Sequence, residues 1–240
     1  MKIIIHGSTG RMGRKLQELL AGSAVHTVAA AVSPEEAQLK ALPDYQGDAD
    51  MIIDFSFHGA VGDLLDYAEA RSLPVVIATT GHTAEEKARI NQAAEKIPVF
   101  YSGNMSVGIA LLVQLAKQTA KAFPDAEIEI IETHHDQKLD APSGTALMIA
   151  DGIKTVRPEA SYHLGRSGQA KRTREEIGIH AIRIGNVVGI HEVLVSTGTQ
   201  TITLKHEAHD RMLFAEGAVA AAEYLVSQNA GLYNMETMLA

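Results

Sequence analysis

The chain has 240 residues, 46% apolar and 21% charged, with 7 Pro and 20 Gly; this composition can bury a core and excludes collagenous and wholly disordered chains. It holds no Cys, which removes disulfide frameworks, thiolate zinc and iron–sulfur sites and any Cys nucleophile, and fits a reducing compartment. A formal net charge of −8 repels nucleic-acid backbones and anionic bilayers, so neither is an expected partner.

One Lys and three apolar residues precede His6-Gly7, too few for a signal-peptide core or a spanning helix, and the expectation is a soluble cytoplasmic protein. Lys2–His6 reads as a strand and Arg11–Ala21 as a helix, with Met12, Leu16, Leu19 and Leu20 on its apolar face and Gly22 as its stop. Strands at Val25–Val32, Met51–Phe55, Val75–Ala78 and Val99–Tyr101 follow, the later ones separated by helices at Ala60–Arg71 and Ala84–Lys96. Such alternation predicts α/β architecture on a parallel sheet.

Beyond Ser106 a long helix, Val107–Ala122, leads to a strand, Glu127–His135, whose alternation sets Ile128, Ile130, Glu132 and His134 on one side. A helix opens near Ser143-Gly144-Thr145. The basic stretch Arg166 to Arg174 reads as a solvated loop or as an anion-closing loop over a small acidic substrate. Strands at Ile179–Ile184, His191–Val195 and Thr201–His206 lie too close together for crossover helices, which predicts a mixed or mainly antiparallel sheet. A final helix, Met212–Ser227, precedes a tail after Gly231 that reads as a packing arm.

Two segments carry chemistry. The first is Gly7-Ser8-Thr9-Gly10-Arg11-Met12-Gly13, which joins an apolar strand directly to a helix. Its glycines permit a tight turn, close approach to a pyrophosphate and close helix–strand packing, with the helix N-terminus facing the anion. The acid that normally ends the second strand and holds ribose hydroxyls is missing: the chain reads Val32-Ser33-Pro34, with Glu35 and Glu36 beyond, while Arg11 could face a 2′-phosphate. Both NADPH and NADH are therefore candidate cofactors, with a lean to NADPH. Ala78-Thr79-Thr80-Gly81 and Ser102-Gly103-Asn104-Met105, at later strand ends, suit the nicotinamide side of such a cleft.

The second segment is Glu132-Thr133-His134-His135-Asp136-Gln137-Lys138-Leu139-Asp140-Ala141-Pro142-Ser143-Gly144-Thr145. A strand delivers two His and a Lys into a loop ending at a helix start, whose backbone N–H groups form an anion site. Lys138 offers a point charge to a carboxylate, and a His is the side chain best suited to exchange a proton near neutral pH. Adjacent His on a strand face opposite ways and His206-Glu207-Ala208-His209 lacks the His-Glu-x-x-His spacing, so no metal site is expected.

These residues resemble a known family, the dihydrodipicolinate (4-hydroxy-tetrahydrodipicolinate) reductases. His134-His135-x-x-Lys138-x-Asp140-Ala141-Pro142-Ser143-Gly144-Thr145 is similar to its signature and Gly7-x-x-Gly10-Arg11-Met12-Gly13 to its opening loop. The likeness continues through Asp54-Phe55-Ser56, Thr79-Thr80-Gly81, Asn104-Met105-Ser106-Val107-Gly108, Glu176-Ile177-Gly178, Ala181-Ile182-Arg183, Val188-Gly189 and Arg211. It implies a Rossmann-like dinucleotide-binding domain from residues 1–105 and 212–240, and an inserted α+β substrate-binding and oligomerisation domain, 106–211, with an open mixed sheet.

The activity implied is hydride transfer from NADPH or NADH to a cyclic imine dicarboxylate, giving tetrahydrodipicolinate in lysine and diaminopimelate biosynthesis. His134 takes the place of the proton donor and Lys138 that of its basic partner; His135, Ser143, Gly144 and Thr145 match substrate-carboxylate contacts. A homotetramer is implied through the second sheet, one face packing on its helices and the other, apolar, facing a partner. Three positions depart from the pattern: Ser33 for an acid, Met105 for an aromatic, and Ile190 for a Glu before His191. The alternatives are a related NAD(P)-dependent imine or amino-acid dehydrogenase, and a non-catalytic nucleotide redox sensor. The sensor reading lacks a basic recognition helix, and no Tyr-x-x-x-Lys pair supports a short-chain dehydrogenase.

Overall fold

The computed structural model describes residues 1–34 and 42–240; Glu35 and Glu36 lie outside the described residues. The chain opens with β1 (Lys2–His6), α1 (Arg11–Ala21), β2 (Thr27–Val32), β3 (Met51–Asp54), α2 (Val61–Ala70), β4 (Val75–Ile77), α3 (Ala84–Ala94) and β5 (Pro98–Tyr101). It continues with α4 (Val107–Ala122), β6 (Glu127–His134), α5 (Gly144–Lys154), β7 (Ser161–Leu164), β8 (Glu176–Arg183), β9 (Gly189–Ser196) and β10 (Thr201–Ala208), and closes with α6 (Met212–Leu225), β11 (Gly231–Tyr233) and α7 (Met235–Met238). Two units result, Met1–Ser106 with Arg211–Ala240, and Val107–Asp210.

The first unit is a parallel sheet in the order β11-β5-β4-β3-β1-β2. Its inner strands are buried on both faces, which is why Ile3-Ile4-Ile5, Met51-Ile52-Ile53 and Val75-Val76-Ile77 are unbroken apolar runs. Ile4, Ile52, Val75, Ile77 and Val99 share a core with Leu64, Leu65 and Ile90 of α2 and α3. Strand order reverses at β1, which has β2 on one side and β3 on the other, so the glycine loop leaves the sheet at a topological switch point. The tail is a correction to the reading of a packing arm: residues 231–233 pair in parallel with β5 as an edge strand of this sheet.

The second unit is a mixed sheet in the order β10-β9-β6-β8-β7, with β6 antiparallel to β9 and parallel to β8. Ile128, Ile130, Ile177, Ile179, Val193 and Val195 of one face pack on Ile109, Leu112 and Ala116 of α4 and Ala146, Ile149 and Ile153 of α5. The opposite face is not the apolar surface expected from the strand spacing. Ile131, Ile182, Ile190 and Leu194 lie on it, but Glu129 pairs there with His180, and Lys205 with Glu192 and Glu207. No helix among the described residues is long and apolar enough to cross a membrane.

Candidate functional site

In the first unit the glycine loop is built by close approach. Gly7 has a positive φ of 84°, and a Cβ on it would stand 2.6 Å from the backbone of Phe55 and Ser56; a Cβ on Gly13 would stand 2.2 Å from the Gly7 carbonyl. These two glycines bring the start of α1 against the ends of β1 and β3. Gly10 occupies the N-cap of α1 and offers no side-chain cap, which leaves the first-turn N–H groups without a side-chain partner. They border a cavity of about 380 Å³ lined by Gly7, Gly10, Arg11, Met12, Thr79 and Thr80 among others. An uncapped helix start in a glycine-built cradle fits a dinucleotide pyrophosphate.

A buried carboxylate fastens the loops around that cavity. Asp54, at the end of β3, pairs with His6 Nδ1 at 2.8 Å, accepts the Ser56 hydroxyl at 2.6 Å, and accepts the Thr79 hydroxyl at 2.7 Å. The ends of β1, β3 and β4 are thereby tied to one side chain. Thr9 meets Ser33 hydroxyl to hydroxyl at 2.9 Å, and Ser8 donates its N–H to the Val32 carbonyl, linking the loop to the end of β2. Ser33 is buried and Arg11 exposed. Ala78 is half-buried, while Thr80 and Gly81 are exposed beside buried Thr79. Ser102, Gly103 and Asn104 form a self-bonded turn: the Ser102 hydroxyl donates to the Asn104 carbonyl, and the Asn104 amide oxygen accepts from Ser106 N–H. Met105 is buried at 2% exposure, a packing position in this chain.

In the second unit the histidine segment closes on a buried carboxylate of its own. Glu132, fully buried, accepts from His134 Nδ1 at 2.5 Å, from Ser143 N–H at 2.9 Å, and from both terminal nitrogens of Arg183 at 2.8 Å each. The sheet register explains the gathering, since β6 lies between β8 and β9 with His134 opposite Arg183 and Glu132 opposite His191. Burial alone would raise the Glu132 carboxyl, but the bonds from His134, Arg183 and Ser143 overturn that and bring it to about 2. Burial, reinforced by the neighbouring His134, pushes His191 down to about 3, so its ring is neutral. That ring lies edge-on to His134 at 5.1 Å and within 3.2 Å of the Ser143 hydroxyl.

The start of α5 is an anion site whose tenants are the chain's own side chains. Ser143 is its N-cap, accepting from Ala146 N–H, while Ser143 N–H goes to Glu132. Lys138 pairs with Asp140 at 2.8 Å, and that ammonium together with Gly144 N–H holds the Asp140 carboxyl below the usual range. Ser143 is committed to the fold on both its N–H and its hydroxyl, and the amides are filled rather than open. His135 and Thr145 are half-buried, and Gly144 is exposed. The basic loop is also tied down: Arg166 pairs with Glu176, Arg174 with Asp125, and Arg172 donates to the carbonyls of Ile128 and Glu176. Among the described residues no group of three His, Cys, Asp or Glu is arranged to hold a metal ion.

Spacing alone missed Asp54, Arg183 and His191 as parts of these constellations. The signal for Glu132 was present, because a buried acid two residues before a His on one strand must share its face.

A doubly wound sheet with a glycine cradle at its switch point, in a chain whose second unit sets a His on a buried carboxylate and a Lys on an exposed one, fits the class of dinucleotide-dependent oxidoreductases. Residues 1–105 match the family described as dihydrodipicolinate reductase, N-terminus, and residues 108–239 the one described as dihydrodipicolinate reductase, C-terminus. The chain belongs to the dihydrodipicolinate reductase family. It is 42% identical over 246 residues to the 4-hydroxy-tetrahydrodipicolinate reductase of Caldanaerobacter subterraneus subsp. tengcongensis, covering 100% of this chain and 98% of that one. It is also 42% identical over 243 residues to that of Alkaliphilus metalliredigens, covering 100% and 99%. A dipicolinate-bound dihydrodipicolinate reductase from Paenisporosarcina sp. TG-14 superposes with a TM-score of 0.80 at 25% identity, over 98% of this chain and 97% of that one. A probable dehydrogenase from Thermotoga maritima shares the fold at 11% identity and a TM-score of 0.65, over 99% and 92%. The activity is the NAD(P)H-dependent reduction of 4-hydroxy-tetrahydrodipicolinate in lysine and diaminopimelate biosynthesis.

Proposed function

We propose that His134 is the acid of this reduction and that Lys138, His135, Gly144 and Thr145 hold the substrate's carboxylates. The observation that carries this reading is the Asp140 carboxylate on Lys138 and Gly144 N–H: the pair already binds a carboxylate, and one supplied by substrate takes its place. The ligand of the Paenisporosarcina relative, dipicolinate, is a ring dicarboxylate of the same chemistry. Loss of the substrate's 4-hydroxyl as water leaves a conjugated imine, to which a reduced nicotinamide held by the first unit would supply a hydride. The electron pair displaced through the ring then takes a proton from His134, and Lys138 keeps the dicarboxylate neutralised meanwhile. His134→Gln is expected to lower kcat by about 10²–10⁴-fold with cofactor affinity unchanged. Lys138→Ala is expected to raise KM for the cyclic substrate. A near-normal kcat in H134Q at neutral pH would move the acid elsewhere.

In the first unit Gly7 to Gly13 receive the pyrophosphate; Ser33 lies toward the ribose; Ala78 to Gly81 and Ser102 to Asn104 serve the nicotinamide end, with Met105 supporting from behind. The absence of an acid at Ser33 and the exposure of Arg11 favour NADPH over NADH. Ser33→Asp should reverse that order in competitive assays, because an acid repels a 2′-phosphate. A homotetramer formed through the outer face of the second sheet covers Ile131, Ile182, Ile190 and Leu194; a monomer in light scattering at micromolar concentration would refute it. The lack of Cys and the reliance on a reduced nucleotide suit the cytoplasm.

A further inference from the structure

We propose that Glu132 is the positioning residue for His134: clamped by Arg183, it holds Nδ1–H and leaves Nε2 as the atom that delivers the proton. This rests on the acid role of His134 given above.

Three observations converge. The first is chemical. Glu132 is ionised and can only accept, so at 2.5 Å the His134 Nδ1 must be the donor, in both the neutral and the charged ring. The second is geometric. Arg183 grips both carboxylate oxygens and is itself held by the carbonyls of Ile182 and Asp140, so the acceptor cannot swing away. Arg183 also balances the Glu132 charge, which leaves His134 beside a neutral pair. The third lies on the opposite edge of the ring. A Cβ on Gly189 would stand 3.2 Å from His134 Nε2, so the first residue of β9 keeps that nitrogen uncovered by having no side chain.

The groups facing His134 are Glu132 from its own strand, Arg183 from β8 and neutral His191 from β9, with Lys138 in the following loop and His206 of β10 beyond His191. Of these, Glu132 is the one bonded to the imidazole.

The test is a cycle of E132Q, H134Q and the double variant, with kcat, KM and the pH–rate profile measured on the full-length protein. E132Q is expected to lose about 10–100-fold in kcat with KM nearly unchanged, and to show a pH–rate profile different from the native one. The double variant should be no slower than H134Q alone, because both act through one group. If H134Q is impaired while E132Q keeps the native kcat and profile, the acid stands and its positioning by Glu132 is wrong. If neither is impaired, the acid role falls and the positioning role with it.

Two further measurements do not require E132Q to fold. Long-range proton–nitrogen spectra of histidine-labelled native protein should find the proton of neutral His134 on Nδ1, and a proton on Nε2 overturns the proposal. Gly189 does not use left-handed backbone, so Gly189→Ala should fold. It is expected to lower kcat/KM several-fold by crowding Nε2, at unchanged cofactor affinity, and native kcat/KM in G189A overturns the assignment of that nitrogen.

Discussion

The helices α1 and α5 both begin where a loop leaves a strand end, and the chain finishes the two starts in opposite ways. At α1 the N-cap is Gly10, which has no side chain to cap the helix, and a cavity lies in front of it. At α5 the cap is Ser143, Glu132 takes the Ser143 N–H, and Asp140 takes Gly144 N–H together with Lys138. A pyrophosphate carries its own charge and needs backbone that nothing else has claimed. On the reading proposed above, a substrate carboxylate at α5 exchanges with the resident Asp140, which keeps Lys138 and Gly144 N–H satisfied between turnovers. An empty start favours tight binding of a cofactor; an occupied start favours binding that is easily reversed.

The largest test of this contrast is Gly10→Val. A Cβ at residue 10 meets only ordinary contacts, 3.4 Å from the Gly7 carbonyl, so the fold survives. The branched side chain then occupies the phosphate position, and calorimetry should find cofactor affinity reduced by at least ~100-fold, or about 2.7 kcal/mol. Unchanged affinity in a folded variant would show that α1 is open for some other reason.

The filled start predicts a pH dependence that the open one does not. His191 has its folded value depressed from 6.5 to about 3 by burial and by His134. A group with a depressed folded value contributes stability above its unfolded value, and that contribution is lost as pH falls from about 6.5 towards 3. Glu132, lowered from 4.5 to about 2, adds a second loss below about 4.5. Thermal melts between pH 7.5 and 5 should therefore decline, and His191→Asn should flatten the decline. An equal slope in the variant would assign acid sensitivity to other groups.

Much of this was legible along the chain, and the misses have a common cause. Arg11–Ala21 and Val107–Ala122 were readable to the residue because each begins at a loop signal and keeps helical spacing of apolar residues throughout. The strand alternation even put Glu132 on the same face as His134. By contrast β7, Ser161-Tyr162-His163-Leu164, is an edge strand with little apolar pattern, and β11 is three residues held by main-chain pairing to β5. Their existence depends on a neighbour rather than on their own residues. The site divides in the same way. His134, Lys138 and Ser143 fall within ten residues, so spacing found them. Arg183 reaches Glu132 across 51 residues through the register of β8 on β6, and His6 reaches Asp54 across 48. Local pattern carries no information about either pairing.

A smaller effect separates the two helix starts in stability. Ser143→Ala removes the N-cap of α5 and its contact with His191, and should cost about 1 kcal/mol, read as a few degrees in Tm. Gly10→Ala has no cap to remove and should leave Tm nearly unchanged. A Tm drop in G10A as large as in S143A would erase the distinction between a capped and an uncapped start.

The smallest expected change bears most directly on the idea of a resident carboxylate. Asp140 is more than half exposed, so its pair with Lys138 contributes the 0.2–1 kcal/mol typical of solvent-accessible ion pairs. On the proposed reading, substrate displaces it to reach Lys138 and Gly144 N–H. Asp140→Asn keeps the size and removes the charge, and the amide no longer competes for the ammonium. KM for the cyclic dicarboxylate should then fall by up to about 5-fold, the equivalent of ~1 kcal/mol. Cofactor affinity, which depends on α1, should stay where it was, and the benefit should shrink at high salt because the competing pair is screened there. A KM that rises in D140N would mean that Asp140 orients Lys138 for the substrate rather than standing in its place, and the two helix starts would then differ only in which ligand they await.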